Sequence, residues 1–113
     1  LDILGNGTQT KSYIHVEDVV EALLLLNHLD PGGYDVFNVS TDDFLTVTEI
    51  AQLAVQTLGL DLETVEFCYS GGDRGWKGDV PLVKIRNEKI KELGWKPRNS
   101  SREAMARALV SMA

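Results

Sequence analysis

Hydrophobic residues recur at helical spacing in the first quarter of this chain. The segment from Val19 to Leu26 follows two carboxylates, which favour the N-terminal end of a helix dipole. Its apolar face is wide, so we expect this helix to be buried on more than one side. Pro31 and the two glycines after it are expected to end the helix.

Two further helices are predicted to begin at capping boxes, in which a hydroxyl residue is followed three positions later by a glutamate. The boxes are Thr46 with Glu49 and Ser100 with Glu103. We expect the first of these helices to stop at Gly59 and the second to run to about residue 112.

A short helix is predicted to follow Asn87, as its cap, and to reach Leu93. Alternating, aromatic and β-branched residues predict short strands at 11–16, 34–39 and 65–69, and Gly5-Asn6-Gly7 predicts a turn before the first. The predicted fold is therefore a mixed, helix-rich α/β domain over residues 1–113, with short strands and about four helices.

Composition narrows the function classes. The chain has 113 residues, 43% of them hydrophobic and 25% charged, which is typical of a globular domain. No apolar run approaches the roughly 20 residues of a membrane helix. A net charge of -6 without a basic stripe argues against nucleic-acid binding. Cys68 is the single cysteine, so we expect a small buried thiol rather than a disulfide. The absence of a leader sequence favours a cytoplasmic location.

The densest chemical signal lies in the glycine-rich segment at 70–81. Gly72, Gly75 and Gly78 match the glycine spacing of a dinucleotide-binding turn. That site needs a helix to begin at the glycines, and Pro81 disfavours one. We therefore expect a surface loop here rather than a dinucleotide site.

Arg74 and Lys77 make this loop a candidate anion site, because Arg offers a planar fork for phosphate and Lys a point charge. Asp79 is suited to accept from a sugar hydroxyl, and Trp76 to pack on a base or sugar ring. The alternative is a solvated charged turn that Trp76 anchors in the core. The residues alone do not decide between the two.

Other titratable residues are expected to be structural. His15 precedes a helix and is placed to cap it, and Asp18 is a helix-start residue rather than a general base. Asp42 and Asp43 are expected to be loop carboxylates, because no third metal ligand is suggested nearby. Taken alone, Lys11 is an exposed lysine at a strand edge.

Five stretches in this order resemble the C-terminal portion of the extended short-chain dehydrogenase/reductases. This is the family of NAD-dependent nucleotide-sugar epimerases and dehydratases, of which UDP-glucose 4-epimerase is the best-known type. The stretches together span nearly the whole chain and lie at residues 5–19, 36–39, 46–50, 74–81 and 93–97.

The resemblance implies a substrate-binding domain that holds the diphosphate of a nucleotide sugar. Lys11 stands where the family usually has a diphosphate-binding arginine, and it keeps the charge without the bidentate fork. Arg74 and Lys77 both lie near the second phosphate-binding arginine, and the sequence does not choose between them. Asp79 resembles the family's aspartate near the nucleotide ribose.

The resemblance places the catalytic chemistry in an N-terminal Rossmann domain outside this chain, which binds NAD. The family's catalytic tyrosine and lysine are separated by three residues, and neither Tyr13, Tyr34 nor Tyr69 has such a lysine. We therefore expect no catalytic residue here and an isolated chain that is inactive. The whole protein is expected to be a homodimeric epimerase that oxidises a sugar hydroxyl by hydride transfer. The alternatives are a dehydratase, a reductase or a non-catalytic binding module.

Overall fold

The computed structural model describes residues 1–29 and 32–113 and confirms a mixed, helix-rich α/β fold. In these residues the helices are α1 (Val16–Asn27), α2 (Val47–Thr57), α3 (Glu88–Glu92) and α4 (Ser101–Met112). The strands are β1 (Asp2–Ile3), β2 (Thr10–Lys11), β3 (Leu45–Thr46) and β4 (Cys68–Tyr69). None of the described helices is long and apolar enough to cross a membrane.

The strands form two small sheets. β1 pairs in parallel with β4, with Ile3 opposite Tyr69, and β2 pairs antiparallel with β3, with Lys11 opposite Leu45. These pairings bring the beginning of the chain against its middle.

The strands predicted at 11–16 and 65–69 are too long, because the structure has only β2 and β4 there, with two residues each. The segment 34–39, also predicted as a strand, forms none. At Tyr13 and at Val36, a side chain takes the backbone N–H that a neighbouring strand would otherwise bind. The N–H of Tyr13 donates to the hydroxyl of Ser101 at 2.9 Å. The N–H of Val36 donates to the carboxylate of Asp35 at 2.7 Å.

Both predicted capping boxes are confirmed. Thr46 accepts from the N–H of Glu49 at 3.1 Å, and the Glu49 carboxylate accepts in return from the N–H of Thr46 at 2.8 Å. Ser100 and Glu103 make the same pair of bonds at 3.2 Å and 2.8 Å. The helices that begin there, α2 and α4, pack against each other.

The expectation that α1 is buried on more than one side is wrong for the described residues. Ala22 is fully buried, whereas Leu23 and Leu24 are 61% and 58% exposed. Only one side of α1 packs against the core. The helix is capped at its C-terminal end by His28, and Pro31, predicted to end it, lies outside the described residues.

The core cluster beside α1 consists of Ala22, Ile90 and Trp95. Trp95 donates its indole N–H to the backbone carbonyl of Asp18 at 3.2 Å, which ties the segment after α3 to α1. Asn87 is the N-cap residue of α3, as predicted, but its side chain makes no capping hydrogen bond. Its amide donates instead to the Ser40 carbonyl at 2.8 Å, so it joins two loops.

Candidate functional site

The glycine-rich loop at 70–81 is tied at one end to the turn after β1 and at the other end to β2. The N–H of Gly71 donates to the carbonyl of Gly5 at 3.0 Å. At the other end, the N–H of Thr10 donates to the carbonyl of Pro81 at 2.9 Å. The loop is therefore positioned by the turn that precedes β2.

That turn requires glycine at Gly5, which has a φ of 84°. A Cβ at this position would lie 2.3 Å from Nε2 of Gln9 and 2.9 Å from the backbone oxygen of Arg74. A left-handed φ and a close approach of another backbone are both conditions that favour glycine. The glycine-rich turn predicted at 5–7 thus brings β2 close to the loop.

The structure joins two of the predicted site residues directly. Lys11 Nζ lies 2.7 Å from Asp79 Oδ1 and also donates to the carbonyl of Val80. The Asp79 side chain is only 11% exposed, and its Oδ2 accepts from the N–H of Gly75 at 3.0 Å. The bonds from Lys11 and then Gly75 hold the pKa of Asp79 below its ordinary value, so the carboxylate is ionised at neutral pH.

The other two positive side chains of the site remain accessible. The Arg74 side chain is 53% exposed, and its Nε lies 4.0 Å from an oxygen of Asp73, which is itself exposed. Lys77 is exposed and makes no ion pair with any residue that the structure describes. Both cations are therefore accessible to an anion from solvent.

Trp76 is 67% exposed, so the alternative in which it anchors the loop in the core is wrong. Its ring lies against Gly78, where a Cβ would come within 2.3 Å of Trp76 Cζ3. An exposed indole between two cations is available for a planar ligand ring.

Two residues that were not predicted to belong to this site lie close to it. Gln9 is 2% exposed and donates to the Leu4 carbonyl at 2.9 Å, while its Oε1 has no partner among the described residues. Burial raises the pKa of Tyr13, and Lys11 and Asp79 lie close enough to act on it in opposite directions. Alternation along the extended segment, which places residues 9, 11 and 13 on one face, was the available signal.

The titratable residues at the start of α1 are structural, as predicted. His15 Nδ1 accepts from the N–H of Glu17 at 3.2 Å, which makes His15 the helix cap. Asp18 lies in the first turn, and its carboxylate accepts from the N–H of Arg98 at 2.9 Å. Neither residue belongs to the loop site.

The carboxylates at 42–43 also hold the fold together. Asp42 pairs with Lys91 at 2.6 Å, and Asp43 accepts from the N–H of Ser101 at 3.0 Å. The expectation of a buried Cys68 is wrong, because the residue lies in the two-residue strand β4, of which both residues are exposed.

The glycine spacing at 72, 75 and 78 does not open a helix. The loop passes into chain without regular secondary structure, and the next helix begins only at Glu88. A dinucleotide pyrophosphate binds at the N-terminus of a helix that directly follows its glycines. These residues therefore do not fit the pyrophosphate of NAD.

Comparisons with known proteins agree on one family. The family model described as GDP-mannose 4,6 dehydratase matches residues 2–108. The probable GDP-L-fucose synthase 1 of Oryza sativa is 26% identical over 91% of this chain and 29% of its own length. The chain thus spans less than a third of the length of this relative.

Two solved structures have the same fold over this region. The UDP-glucose 4-epimerase of Thermotoga maritima with UDP-glucose aligns with a TM-score of 0.76 and 33% identity, over 96% of this chain and 33% of the epimerase. MoeE5 in complex with UDP-glucose and NAD aligns with a TM-score of 0.75 and 28% identity, over 96% of this chain and 35% of MoeE5.

Proposed function

We propose, on the premise that this chain belongs to the family of nucleotide-sugar epimerases and dehydratases, that its loop at 70–81 binds the diphosphate of a nucleotide sugar. The observation that carries the proposal is the pair of accessible cations, Arg74 and Lys77, on a loop that backbone bonds and the Lys11–Asp79 ion pair hold in place. A preformed loop binds an anion without a large cost of ordering.

Each residue has a proposed role. Arg74 and Lys77 neutralise the diphosphate, and charge-assisted bonds of this kind are stronger than neutral ones. Trp76 packs against the base or sugar ring, and Asp79 lies near the ribose. Lys11, the fifth residue of the proposed site, lies beside Asp79.

We propose further that the whole protein is an epimerase and that this chain supplies substrate binding as its C-terminal domain. Hydride transfer to NAD is assigned to an N-terminal Rossmann domain, because the glycines of this chain do not fit a dinucleotide. The residues of this chain bind and orient the nucleotide, which brings the sugar to the reactive groups. An isolated chain is expected to have no activity. The homodimer and the cytoplasmic location stay predictions.

A 4,6-dehydratase is the second candidate. The matching family model carries that description, whereas one of the similar solved structures is an epimerase. Product analysis of the full-length protein incubated with UDP-glucose separates the two. An epimerase yields the C4 epimer, and a dehydratase yields a 4-keto-6-deoxy sugar.

Calorimetric titration of UDP-glucose into the full-length protein tests the binding site. The double variant Arg74→Ala plus Lys77→Ala is expected to lose about 3–6 kcal/mol of binding free energy if both side chains contact phosphate. The matched control is Lys84→Ala plus Arg102→Ala, which removes two exposed cations outside the loop. Equal binding by the loop variant and the control would contradict the proposed site.

A further inference from the structure

The ammonium group of Lys11 is already occupied by the protein. Of its three donors, one is directed to Asp79 at 2.7 Å and another to the carbonyl of Val80. The Lys11 side chain is 30% exposed, which is much less than the 53% of Arg74. A phosphate would therefore have to compete with an ionised carboxylate for this cation.

The partner of Lys11 controls the turn that carries the accessible ligand groups. Asp79 Oδ1 accepts from Lys11, and Asp79 Oδ2 accepts from the N–H of Gly75 at 3.0 Å. The N–H of Asp79 also donates to the carbonyl of Trp76 at 3.0 Å. One carboxylate thus links β2 to both ends of the turn at 75–79.

The two residues before Lys11 support the same turn. Gln9 lies two positions earlier, and its amide nitrogen would be 3.4 Å from a Cβ on Gly75. Thr10 donates its N–H to the carbonyl of Pro81 at 2.9 Å. Hydrogen bonds from Thr10 and Lys11 therefore set the distance between β2 and the loop, and Gln9 lies close to the same turn.

Arg74 and Lys77 show the opposite arrangement. Arg74 has only a 4.0 Å contact with an exposed carboxylate, and Lys77 makes no ion pair among residues 1–29 and 32–113. Exposed pairs at such a distance hold a side chain weakly, so a doubly charged ligand displaces them readily.

We propose that Lys11 is a positioning residue, which acts on the nucleotide sugar by holding Asp79 and the turn at 75–79, while Arg74 and Lys77 contact the diphosphate. This inference rests on the proposed function. The family resemblance implies that Lys11 binds the diphosphate, whereas this inference gives Lys11 no contact with the ligand. It also assigns diphosphate contacts to both Arg74 and Lys77.

A double-mutant cycle on the full-length protein, titrated with UDP-glucose, tests the inference. Lys11→Met and Asp79→Asn each break the same ion pair and are expected to weaken binding by about tenfold. The double variant should bind no more weakly than Asp79→Asn alone, because Lys11 acts only through Asp79. Lys11→Arg, which can still pair with Asp79, should keep affinity within about threefold of wild type.

The dependence of affinity on salt gives a second readout. Salt screens the attraction between a cation and the diphosphate. If Lys11 does not contact the ligand, Lys11→Met should keep the wild-type slope of log Kd against log salt. Arg74→Ala and Lys77→Ala should each reduce that slope.

The possible results distinguish a failure of this inference from a failure of the proposed function. Additive losses in the cycle, or a reduced salt slope in Lys11→Met, would place Lys11 on the phosphate and overturn this inference alone. If the wild-type protein binds neither UDP-glucose, dTDP-glucose nor GDP-mannose, the proposed function fails, and this inference fails with it. Unfolding curves of each variant verify that a lost affinity is not a lost fold.

Discussion

The carboxylate of Asp18 accepts two hydrogen bonds from Asn99, one from the backbone N–H at 3.3 Å and one from the side-chain amide at 3.0 Å. The N–H of Arg98 adds a third at 2.9 Å. Asp18 is 1% exposed, so a buried carboxylate at the start of α1 holds the segment that leads into α4. Asp18 therefore links α1 to the segment that precedes α4.

Replacement of this carboxylate should be costly. Asp18→Ala leaves three donors at 98–99 without their acceptor, so we expect the free energy of unfolding to fall by about 2–4 kcal/mol. Asp18→Asn, which keeps one acceptor oxygen, should cost less. Urea unfolding measures both, with Asp73→Ala as the control because that carboxylate is 81% exposed. Equal stability of Asp18→Ala and Asp73→Ala would contradict the prediction.

The same residue should make stability depend on pH. Burial raises the pKa of Asp18, but the hydrogen bonds from Arg98 and Asn99 outweigh it and leave the pKa below its ordinary value. A lowered pKa in the folded state means that the stabilisation is complete above the unfolded pKa of about 3.9 and is lost as the pH falls through the folded pKa. The stability difference between wild type and Asp18→Asn should therefore shrink below about pH 4. A stability difference between wild type and Asp18→Asn that stays constant below about pH 4 would contradict this prediction.

Two glycines with the same backbone conformation should respond differently to alanine. Gly5 and Gly71 have φ values of 84° and 82°, but only a Cβ on Gly5 would meet other atoms, at 2.3 Å from Gln9 and 2.9 Å from Arg74. Gly71→Ala should cost about 1 kcal/mol from its left-handed backbone, and Gly5→Ala about 2 kcal/mol more from the clash. Thermal unfolding compares the two variants, and equal costs would argue against the close packing of the turn and the loop.

The two tryptophans should separate ligand binding from stability. Trp76 is 67% exposed and Trp95 is 5% exposed in the core. Trp76→Ala should change the free energy of unfolding by less than about 0.5 kcal/mol and weaken the binding of UDP-glucose. Trp95→Ala should lower the free energy of unfolding by about 3–5 kcal/mol. Unfolding curves and calorimetry on both variants provide the test, and unchanged binding in Trp76→Ala would exclude its contact with the ligand.

Local signals were sufficient to predict the helix starts. Thr46 and Ser100 each form a capping box with a glutamate three residues later, so all the atoms involved lie within one turn of chain. Strands were harder to predict. The segment at 34–39 has the residues of a strand, but a strand needs a partner, and only distant parts of the chain can provide one.

The candidate loop shows the same difference between local signals and contacts with distant residues. Its glycines, its two cations and Trp76 were evident from the sequence, and so was the absence of a helix after them. The burial of Gln9 and the exposure of Trp76 were not. The burial of Gln9 depends on how the turn at 5–7 packs against Arg74, which is distant in sequence. The exposure of Trp76 depends on which parts of the chain fold over the loop.

The sequence by itself determined the helices, their caps and the membership of Arg74 and Lys77 in one loop, because each depends on neighbours along the chain. Only the tertiary structure decided which cation of the site is paired. Lys11 and Asp79 are 68 positions apart, and their contact exists because β2 and the loop are brought together by backbone hydrogen bonds. Ion pairing depends on distance in space, which the order of residues does not specify.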